Sequence, residues 1–288
     1  MKCFYHNDLD GRCAGAIVFH SVGIKPKKGN HKLEMIEIDY KDTIDVGKIK
    51  KNEQLWIVDF SFKPEIMERV LEKTKDITWI DHHKTADEYK YSQKLEGLRI
   101  TEDKKFAGCE LTWMYVHPKL PIPRAVQLTG DRDKWAWKFK KETANFCQGI
   151  KLYSHQPSDV IWFDLLNNGN NLQNVIRNGN TCILFRDNFC KDYADSYGFE
   201  TKFEGYKCFA IGLYMFGSET FGERFKEYDI CLSFEYDGKN YIIGLYSETI
   251  DVSKIAKKYG GGGHKGASGF VSSNLPFKLL DKPKLKED

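Results

Sequence analysis

The sequence has no apolar run long enough to cross a bilayer, no signal-type start after Met1, and no C-x-x-C pair among its eight cysteines. The first two absences predict a soluble, cytoplasmic protein without a membrane partner. Because the cysteines are scattered through apolar segments, we interpret them as reduced, buried thiols rather than disulfides or zinc ligands. The net charge is only +3, which excludes a global basic field, so any affinity for polyanions must come from a local site.

The 288 residues suit two domains of moderate length. In the first half, short apolar runs alternate with helical patterns, an order that predicts an α/β fold with a parallel sheet. The predicted strands there are 2–5, 35–38, 55–58 and 77–80, and the predicted helices are 12–22, 64–73, 107–116 and 123–128.

The second half begins with a mostly helical stretch, residues 141–197, which is interrupted near Pro157 and at 167–171. After it, the patterns predict strands at 208–213, 228–236 and 240–246, a helix at 251–258 and a last strand near Phe270. We therefore predict a parallel-sheet domain (1–170), a helical connector (171–200), a smaller α/β domain (201–275) and a C-terminal tail (276–288).

Clusters of acidic residues and histidines follow three predicted strands and one predicted helix. They are His6, Asp8 and Asp10; Asp59; Asp81, His82 and His83; and Asp131 with Asp133. Because the ends of parallel strands share one sheet edge, we expect these clusters to converge. Carboxylates and imidazoles suit manganese or another divalent first-row ion, and a pair of ions needs a bridging carboxylate, for which Asp59 is the natural candidate. A lone Asp after a strand usually caps a helix, so the prediction depends on all four clusters together.

Five segments resemble the motifs of a known family. H-N-D-L-D-G (6–11), V-D-F (58–60), D-H-H (81–83) and T-G-D (129–131) resemble the four motifs of the DHH phosphoesterases. The segment G-G-G-G-H-K-G-A-S-G-F (260–270) resembles the signature of the DHH-associated (DHHA1) substrate domain of RecJ-type exonucleases and nanoRNases. The resemblance spans essentially the whole chain. It implies a metal-dependent phosphohydrolase with two Mn²⁺ per chain, for which Mg²⁺ or Co²⁺ could substitute.

The resemblance also implies a role for each motif residue. It assigns one ion to His6, Asp8 and Asp59, and the other to Asp10, Asp59, His82 and Asp131. His83 would face the substrate phosphate, and Asp81 would orient its neighbours; these two are the predicted catalytic residues. We prefer Asp131 as the fourth-motif ligand because it directly follows the predicted helix, and Asp133 is the alternative.

The glycine-rich segment is predicted to bind substrate. Consecutive glycines let backbone amides point at a phosphate, so Gly262, Gly263 and His264 are the candidate contacts. On the preceding strand, Tyr246 stands where many relatives carry an arginine. A nucleobase also needs a stacking surface, for which the candidates are Tyr246, Phe216, Phe221 and Trp135.

The resemblance implies hydrolysis of phosphodiester bonds in short single-stranded RNA or DNA. The chain has no residues left over for an added strand-binding module, which favours short substrates. The alternatives are cleavage of cyclic dinucleotides and removal of phosphate from 3′-phosphoadenosine 5′-phosphate. A noncatalytic nucleotide-binding protein is the alternative of another class, and it would be expected to lack a metal ligand. The sequence does not determine the oligomeric state.

Overall fold

The computed structural model describes residues 1–23, 33–103 and 105–278. The chain divides into two compact units, Met1–Cys182 and Ile183–Asp288. The division falls within the long helix Asn171–Tyr197, which occupies most of the stretch predicted to connect two domains. From residue 279 onward, the predicted tail lies outside the described residues.

The first unit is built on a four-stranded sheet in which every neighbouring pair of strands is parallel. Its strands are β1 (Lys2–His6), β2 (Glu34–Ile38), β3 (Leu55–Val58) and β4 (Ile77–Ile80), in the order β2-β1-β3-β4. The predicted parallel sheet is confirmed. The bounds of β3 and β4 match the prediction because both are short and almost entirely apolar, as expected for strands covered on both faces.

Helices cover both faces of this sheet. They are α1 (Leu9–Val18), α2 (Pro64–Leu71), α3 (Gly108–Val116), α4 (Arg124–Asp133), α5 (Lys141–Gly149), α6 (Val160–Leu166) and α7 (Asn171–Tyr197). Successive strand residues point to opposite faces, so Phe4 packs in the cluster that contains Met67 and Val70 of α2. Cys3 and Tyr5 pack in the other cluster, with residues of α1, α3, α4 and α6.

Two helices differ from their predicted bounds in ways that concern the site. Helix α1 begins at Leu9 rather than at residue 12, because the Asp8 carboxylate accepts a hydrogen bond from the Gly11 N–H (2.9 Å) and caps the helix. Helix α4 continues to Asp133, five residues beyond its predicted end. Both fourth-motif aspartates therefore lie on the helix and not after it.

The second unit contains a six-stranded mixed sheet of β5 to β10 in the order β5-β6-β7-β8-β10-β9. The strands are β5 (Phe199–Phe203), β6 (Tyr206–Ile211), β7 (Ile230–Tyr236), β8 (Tyr241–Tyr246), β9 (Gly262–His264) and β10 (Ala267–Ser272). Helix α8 (Val252–Lys258) packs on one face. The smaller α/β unit is confirmed. Sequence patterns missed β5, where charged residues alternate with apolar ones, and β9, which is two glycines and a histidine.

Helices α5 and α7 approach closely at two glycines. A Cβ atom on Gly179 would lie 1.7 Å from the Asn145 carbonyl oxygen, and one on Gly149 would lie 1.9 Å from that of Val175. Only glycine allows the two backbones to come this near. The start of α7 is thereby fixed against the first unit.

We predict that Gly179→Ala destabilises the protein by about 1–3 kcal/mol, because the added methyl group forces α5 and α7 apart. In an unconstrained helix the same change would stabilise the protein by about 1 kcal/mol. The sign of the change in the free energy of unfolding therefore shows whether the two helices are in close contact. Urea unfolding measures it. Asn180→Ala, at the exposed neighbouring position, is the control and should change the free energy of unfolding little; a stabilised Gly179→Ala would contradict the predicted contact.

Candidate metal centre

The acidic and histidine clusters meet at the carboxyl edge of the parallel sheet. His6 ends β1, Asp59 directly follows β3, and Asp81 directly follows β4. Asp8 and Asp10 lie at the start of α1, which follows β1. From β1 the chain continues to β2 on one side of β1 and then to β3 and β4 on the other side. Such a switch point opens a crevice at the strand ends.

Asp59 lies at the centre of this group. It is 1% exposed, and neither of its carboxylate oxygens has a hydrogen-bond partner among the described residues. Its φ angle of 53° is in the left-handed region, which a residue other than glycine adopts at a cost. Burial and the charges of Asp10, Asp8, Asp133 and Asp81 raise its pKa well above the ordinary value. A buried carboxylate without a partner is a candidate cation ligand.

His82 is surrounded by carboxylates. Its Nε2 atom lies 3.2 Å from Oδ1 of Asp59, 3.7 Å from Oδ2 of Asp10 and 3.5 Å from Oδ2 of Asp133. On the other side of Asp59, Nδ1 of His6 lies 3.9 Å from Oδ2 of Asp59 and 2.8 Å from Oδ2 of Asp8. This Nδ1 atom is buried and lacks the geometry of a hydrogen bond.

The start of α3 holds Asp10 in place. The Gly108 N–H and the Cys109 N–H donate to the two carboxylate oxygens of Asp10, at 2.7 and 3.0 Å. A Cβ atom on Gly108 would lie 2.4 Å from Oδ1 of Asp59. Glycine is therefore required for the helix to reach the carboxylates, and the positive end of the helix stabilises their charge.

Asp81 is a fully buried carboxylate that positions His83. It accepts hydrogen bonds from the His82 N–H (2.8 Å), Nδ1 of His83 (2.7 Å) and the Ser61 hydroxyl. Burial raises the pKa of Asp81, but these partners hold it below its ordinary value. Burial lowers the pKa of His83, yet its bond to Asp81 and the charges of Asp81, Asp10 and Asp133 raise it above its usual range.

The two fourth-motif aspartates have different surroundings. Asp131 accepts hydrogen bonds from the Lys138 N–H (2.8 Å), the Phe139 N–H (3.2 Å) and the Thr143 hydroxyl. Burial raises its pKa, but these bonds hold it below the ordinary value. Asp133 instead faces His82. Burial and the charges of Asp10 and Asp8 raise its pKa to about 8.

The geometry therefore favours the alternative, Asp133, as the fourth-motif ligand. Residues two apart on a helix are about 200° apart around its axis, so only one of the two can face the sheet edge. Helix α4 includes both aspartates, so Asp131 does not directly follow the helix as predicted. Asp133, the alternative, is the candidate ligand, and Asp131 holds the following loop.

Among the residues that the structure describes, three groups of side chains have the spacing of metal ligands, with ligand atoms within 4.8 Å of one another. They are His6, Asp8 and Asp59; Asp10, His82 and Asp133; and Asp59, His82 and His83. The first two groups use separate residues, and Asp59 adjoins the second through His82. The donors are oxygen and imidazole nitrogen without thiolate, which fits Mn²⁺, Mg²⁺ or a similar ion. The unpartnered oxygens of Asp59 fit a cation.

The glycine-rich segment lies in the second unit. Gly262, Gly263 and His264 form the edge strand β9, and all three are exposed. Gly263 has φ +136°, a conformation that favours glycine. Among the stacking candidates, Phe221 is 1% exposed and packs against the partly buried Tyr246, whereas Trp135 is 59% exposed.

Sequence reasoning missed several residues around the centre. The Gly108 and Cys109 amides carry no side-chain signal, and glycine at the first helical position is the only hint. Ser61 and Tyr40 were also missed. Tyr40 follows β2 and stacks on Phe60, with ring centroids 4.6 Å apart, and its ring lies 5.5 Å from that of His6.

Comparisons with known proteins define the fold. No family model matches the sequence. The pGpG-specific phosphodiesterase PggH of Vibrio cholerae superposes with a TM-score of 0.56 at 10% identity, over 94% of this chain and 93% of that one. The DHH domain of a protein described as a member of the s1p family of ribosomal proteins superposes with a TM-score of 0.59 at 15% identity, over 94% and 82% of the two chains. The chain shares the fold of these two structures, one of which is described as a DHH domain.

One curated relative matches in sequence. It is an uncharacterized protein of Acanthamoeba polyphaga mimivirus, 26% identical over 251 residues. The match covers 80% of this chain and 57% of the relative, so the chain spans little more than half of that protein's length. None of the described helices combines the length and apolarity needed to span a membrane.

The raised pKa of Asp133 predicts a pH-dependent stability of the metal-free protein. Between an unfolded pKa of about 3.9 and the folded pKa of about 8, the folded state holds a proton that the unfolded state has lost. The free energy of unfolding should therefore fall as pH rises through this window. With chelator present, the Tm of the wild type should fall from pH 5 to pH 8 relative to that of Asp133→Asn. A Tm difference that stays constant with pH would contradict this.

The different surroundings of Asp131 and Asp133 predict opposite phenotypes. Asp133→Asn should weaken Mn²⁺ binding by at least about tenfold, because it removes a ligand. Asp131→Asn should leave Mn²⁺ affinity nearly unchanged but lower the free energy of unfolding by about 1.5–3 kcal/mol, because hydrogen bonds to a charged acceptor are lost. Calorimetric titration and urea unfolding of both variants measure this. The reverse pattern would restore Asp131 as the ligand.

Proposed function

We propose that this chain is a two-metal phosphoesterase that hydrolyses phosphodiester bonds of short single-stranded oligonucleotides. The observation that carries the proposal is Asp59, a buried carboxylate with two unpartnered oxygens that belongs to one ligand group and adjoins the other through His82. One carboxylate that adjoins two groups is the arrangement that a pair of divalent ions requires.

His6, Asp8 and Asp59 would hold one ion, and Asp10, Asp59, His82 and Asp133 the other. We favour Mn²⁺, because the ligands combine carboxylates with imidazoles; Mg²⁺ and Co²⁺ are the expected substitutes. When bound, such a pair of ions lowers the pKa of a water molecule and neutralises charge on the phosphate. The chain supplies the ligands and holds them in place through the N–H groups of α1 and α3.

His83 is the proposed phosphate contact. Its Nδ1 is engaged by Asp81 at 2.7 Å, which leaves Nε2 for the substrate. The hydrogen bond between Nδ1 and the Asp81 carboxylate raises the pKa of His83 and so favours the imidazolium, which donates a strong, charge-assisted hydrogen bond to an anionic oxygen. The Ser61 hydroxyl donates a hydrogen bond to Asp81, and the Ser61 oxygen accepts one from the indole N–H of Trp79 (3.1 Å). Asp81 thus acts by positioning His83.

Gly262, Gly263 and His264 are the proposed substrate contacts of the second unit. Because β9 is an edge strand, backbone groups on its outer side have no strand partner. The left-handed conformation of Gly263 and the exposed His264 support a phosphate contact there.

Short linear substrates are favoured over the alternatives. PggH, which shares the fold, is described as specific for pGpG, a linear dinucleotide. Cyclic dinucleotides and 3′-phosphoadenosine 5′-phosphate are the competing substrates. A noncatalytic nucleotide-binding role is disfavoured, because neither of the two separate ligand groups lacks a member.

The test is hydrolysis, with Mn²⁺, of labelled dinucleotides, oligomers of graded length, cyclic dinucleotides and 3′-phosphoadenosine 5′-phosphate. We expect kcat/KM to be highest for roughly two to five nucleotides. Asp59→Ala should lower it by at least about a hundredfold, because both ion sites lose a ligand. Asp76→Asn, an exposed aspartate at the start of β4, is the control and should retain activity. A steady rise in kcat/KM out to about twenty nucleotides, with steep salt dependence, would indicate an extended binding groove.

A further inference from the structure

The loop that follows α4 carries an exposed aromatic surface. Trp135 is 59% exposed, whereas Trp56, Trp79, Trp113 and Trp162 are at most 7% exposed. Exposure of so large a ring loses the free energy that burial would supply.

The backbone of this loop is strained at two bulky residues. Trp135 and Trp137 both have φ 52°, a conformation that is unfavourable for bulky side chains. Such strain persists only where the surroundings enforce it, and it is concentrated at functional sites. Here Asp131 holds the loop in this conformation by accepting hydrogen bonds from the N–H groups of Lys138 and Phe139.

Arg132 gives the aromatic surface a positive charge. Its guanidinium lies 4.1 Å from the centroid of the Trp135 ring and 5.3 Å from that of Trp137. The two rings lie 5.2 Å apart at 81°. Within the described part of the chain, neither Arg132 nor the loop residues Lys138 and Lys140 form an ion pair with a carboxylate. These three cationic side chains are therefore available to an anionic ligand.

This surface adjoins the candidate metal centre through the chain. Trp135 follows Asp133 by two residues, so their Cα atoms are at most about 7 Å apart. The Trp135 N–H donates to the Arg132 carbonyl at 3.1 Å, which closes the turn directly after the ligand. A substrate phosphate at the metal centre would therefore bring an attached nucleoside within reach of the loop.

We propose that Trp135, backed by Arg132 and Trp137, is the surface on which a nucleobase of the substrate stacks next to the scissile phosphate. Lys138 and Lys140 supply charge for a neighbouring phosphate. Stacking on an aromatic ring tolerates any base, and a guanidinium against the ring adds an attraction for the anionic strand. The inference rests on the proposed function and names the part of the substrate that this loop recognises.

The test compares a dinucleotide with matched phosphodiesters in which one or the other base is absent. For the wild type, kcat/KM should be about tenfold or more higher with both bases present, from the usual strength of base–aromatic stacking. Trp135→Ala should remove that difference by slowing the full dinucleotide, with the corresponding abasic substrate unaffected. Trp135→Phe should retain most of it. Phe163→Ala, at another aromatic residue that is 55% exposed, is the control and should change neither rate.

Several outcomes would overturn the inference. Equal slowing of full and abasic substrates, or weaker Mn²⁺ binding by Trp135→Ala, would mean that Trp135 only supports the loop. No effect on either substrate would exclude stacking. If the wild type hydrolyses neither, the proposed function fails, and titration of the same substrates in the presence of Mn²⁺ decides about the loop. In that case, if Trp135→Ala no longer binds the full dinucleotide more tightly than the abasic substrate, the proposed stacking surface is supported. If the difference in affinity is unchanged, stacking on Trp135 is excluded.

Discussion

Repulsion among carboxylates gathered at one sheet edge is the constraint that governs this structure. Asp8, Asp10, Asp59, Asp81 and Asp133 all lie there, and each ionised group disfavours the next. Backbone amides and imidazoles compensate Asp8, Asp10 and Asp81. Neither carboxylate oxygen of Asp59 accepts a hydrogen bond from the described residues, and the pKa values of Asp59 and Asp133 are raised. A bound cation would remove this repulsion, which links the stability of the first unit to metal.

The fold brings two helix starts to the same carboxylates. Helix α1 begins at Asp8, which caps it, and α3 begins at Gly108, whose N–H group reaches Asp10. Helix N-termini stabilise anions, so the scaffold tolerates a charge density that a sheet edge alone would not. The arrangement depends on the missing side chain of Gly108, because a methyl group there would collide with Asp59.

Asp131 and Asp133 have different contacts in the structure, although the sequence motif does not distinguish them. Asp133 faces His82, whereas Asp131 anchors the loop that carries Trp135. Asp133 and the proposed stacking surface are therefore adjacent at the end of α4. As proposed, a base held close to the scissile phosphodiester bond would suit substrates of a few nucleotides.

Much of the fold follows from local sequence. Apolar runs bounded by turns placed β3 and β4 at their observed bounds, because strands buried on both faces need continuous apolar residues. The clusters after those strands indicated a common edge, because parallel strands all end on the same side. Five motifs in the expected order also indicated the family whose fold the structure shows.

Tertiary structure alone decided which side chains face the centre. Asp131 and Asp133 are equivalent in the sequence, and only the continuation of α4 determines which one turns toward His82. The amides of α3 come from a segment about a hundred residues after Asp10, and a backbone N–H has no signature in a sequence. Exposure of Trp135 was likewise undetermined, because a tryptophan in a basic loop has the same local pattern whether it packs inward or faces solvent.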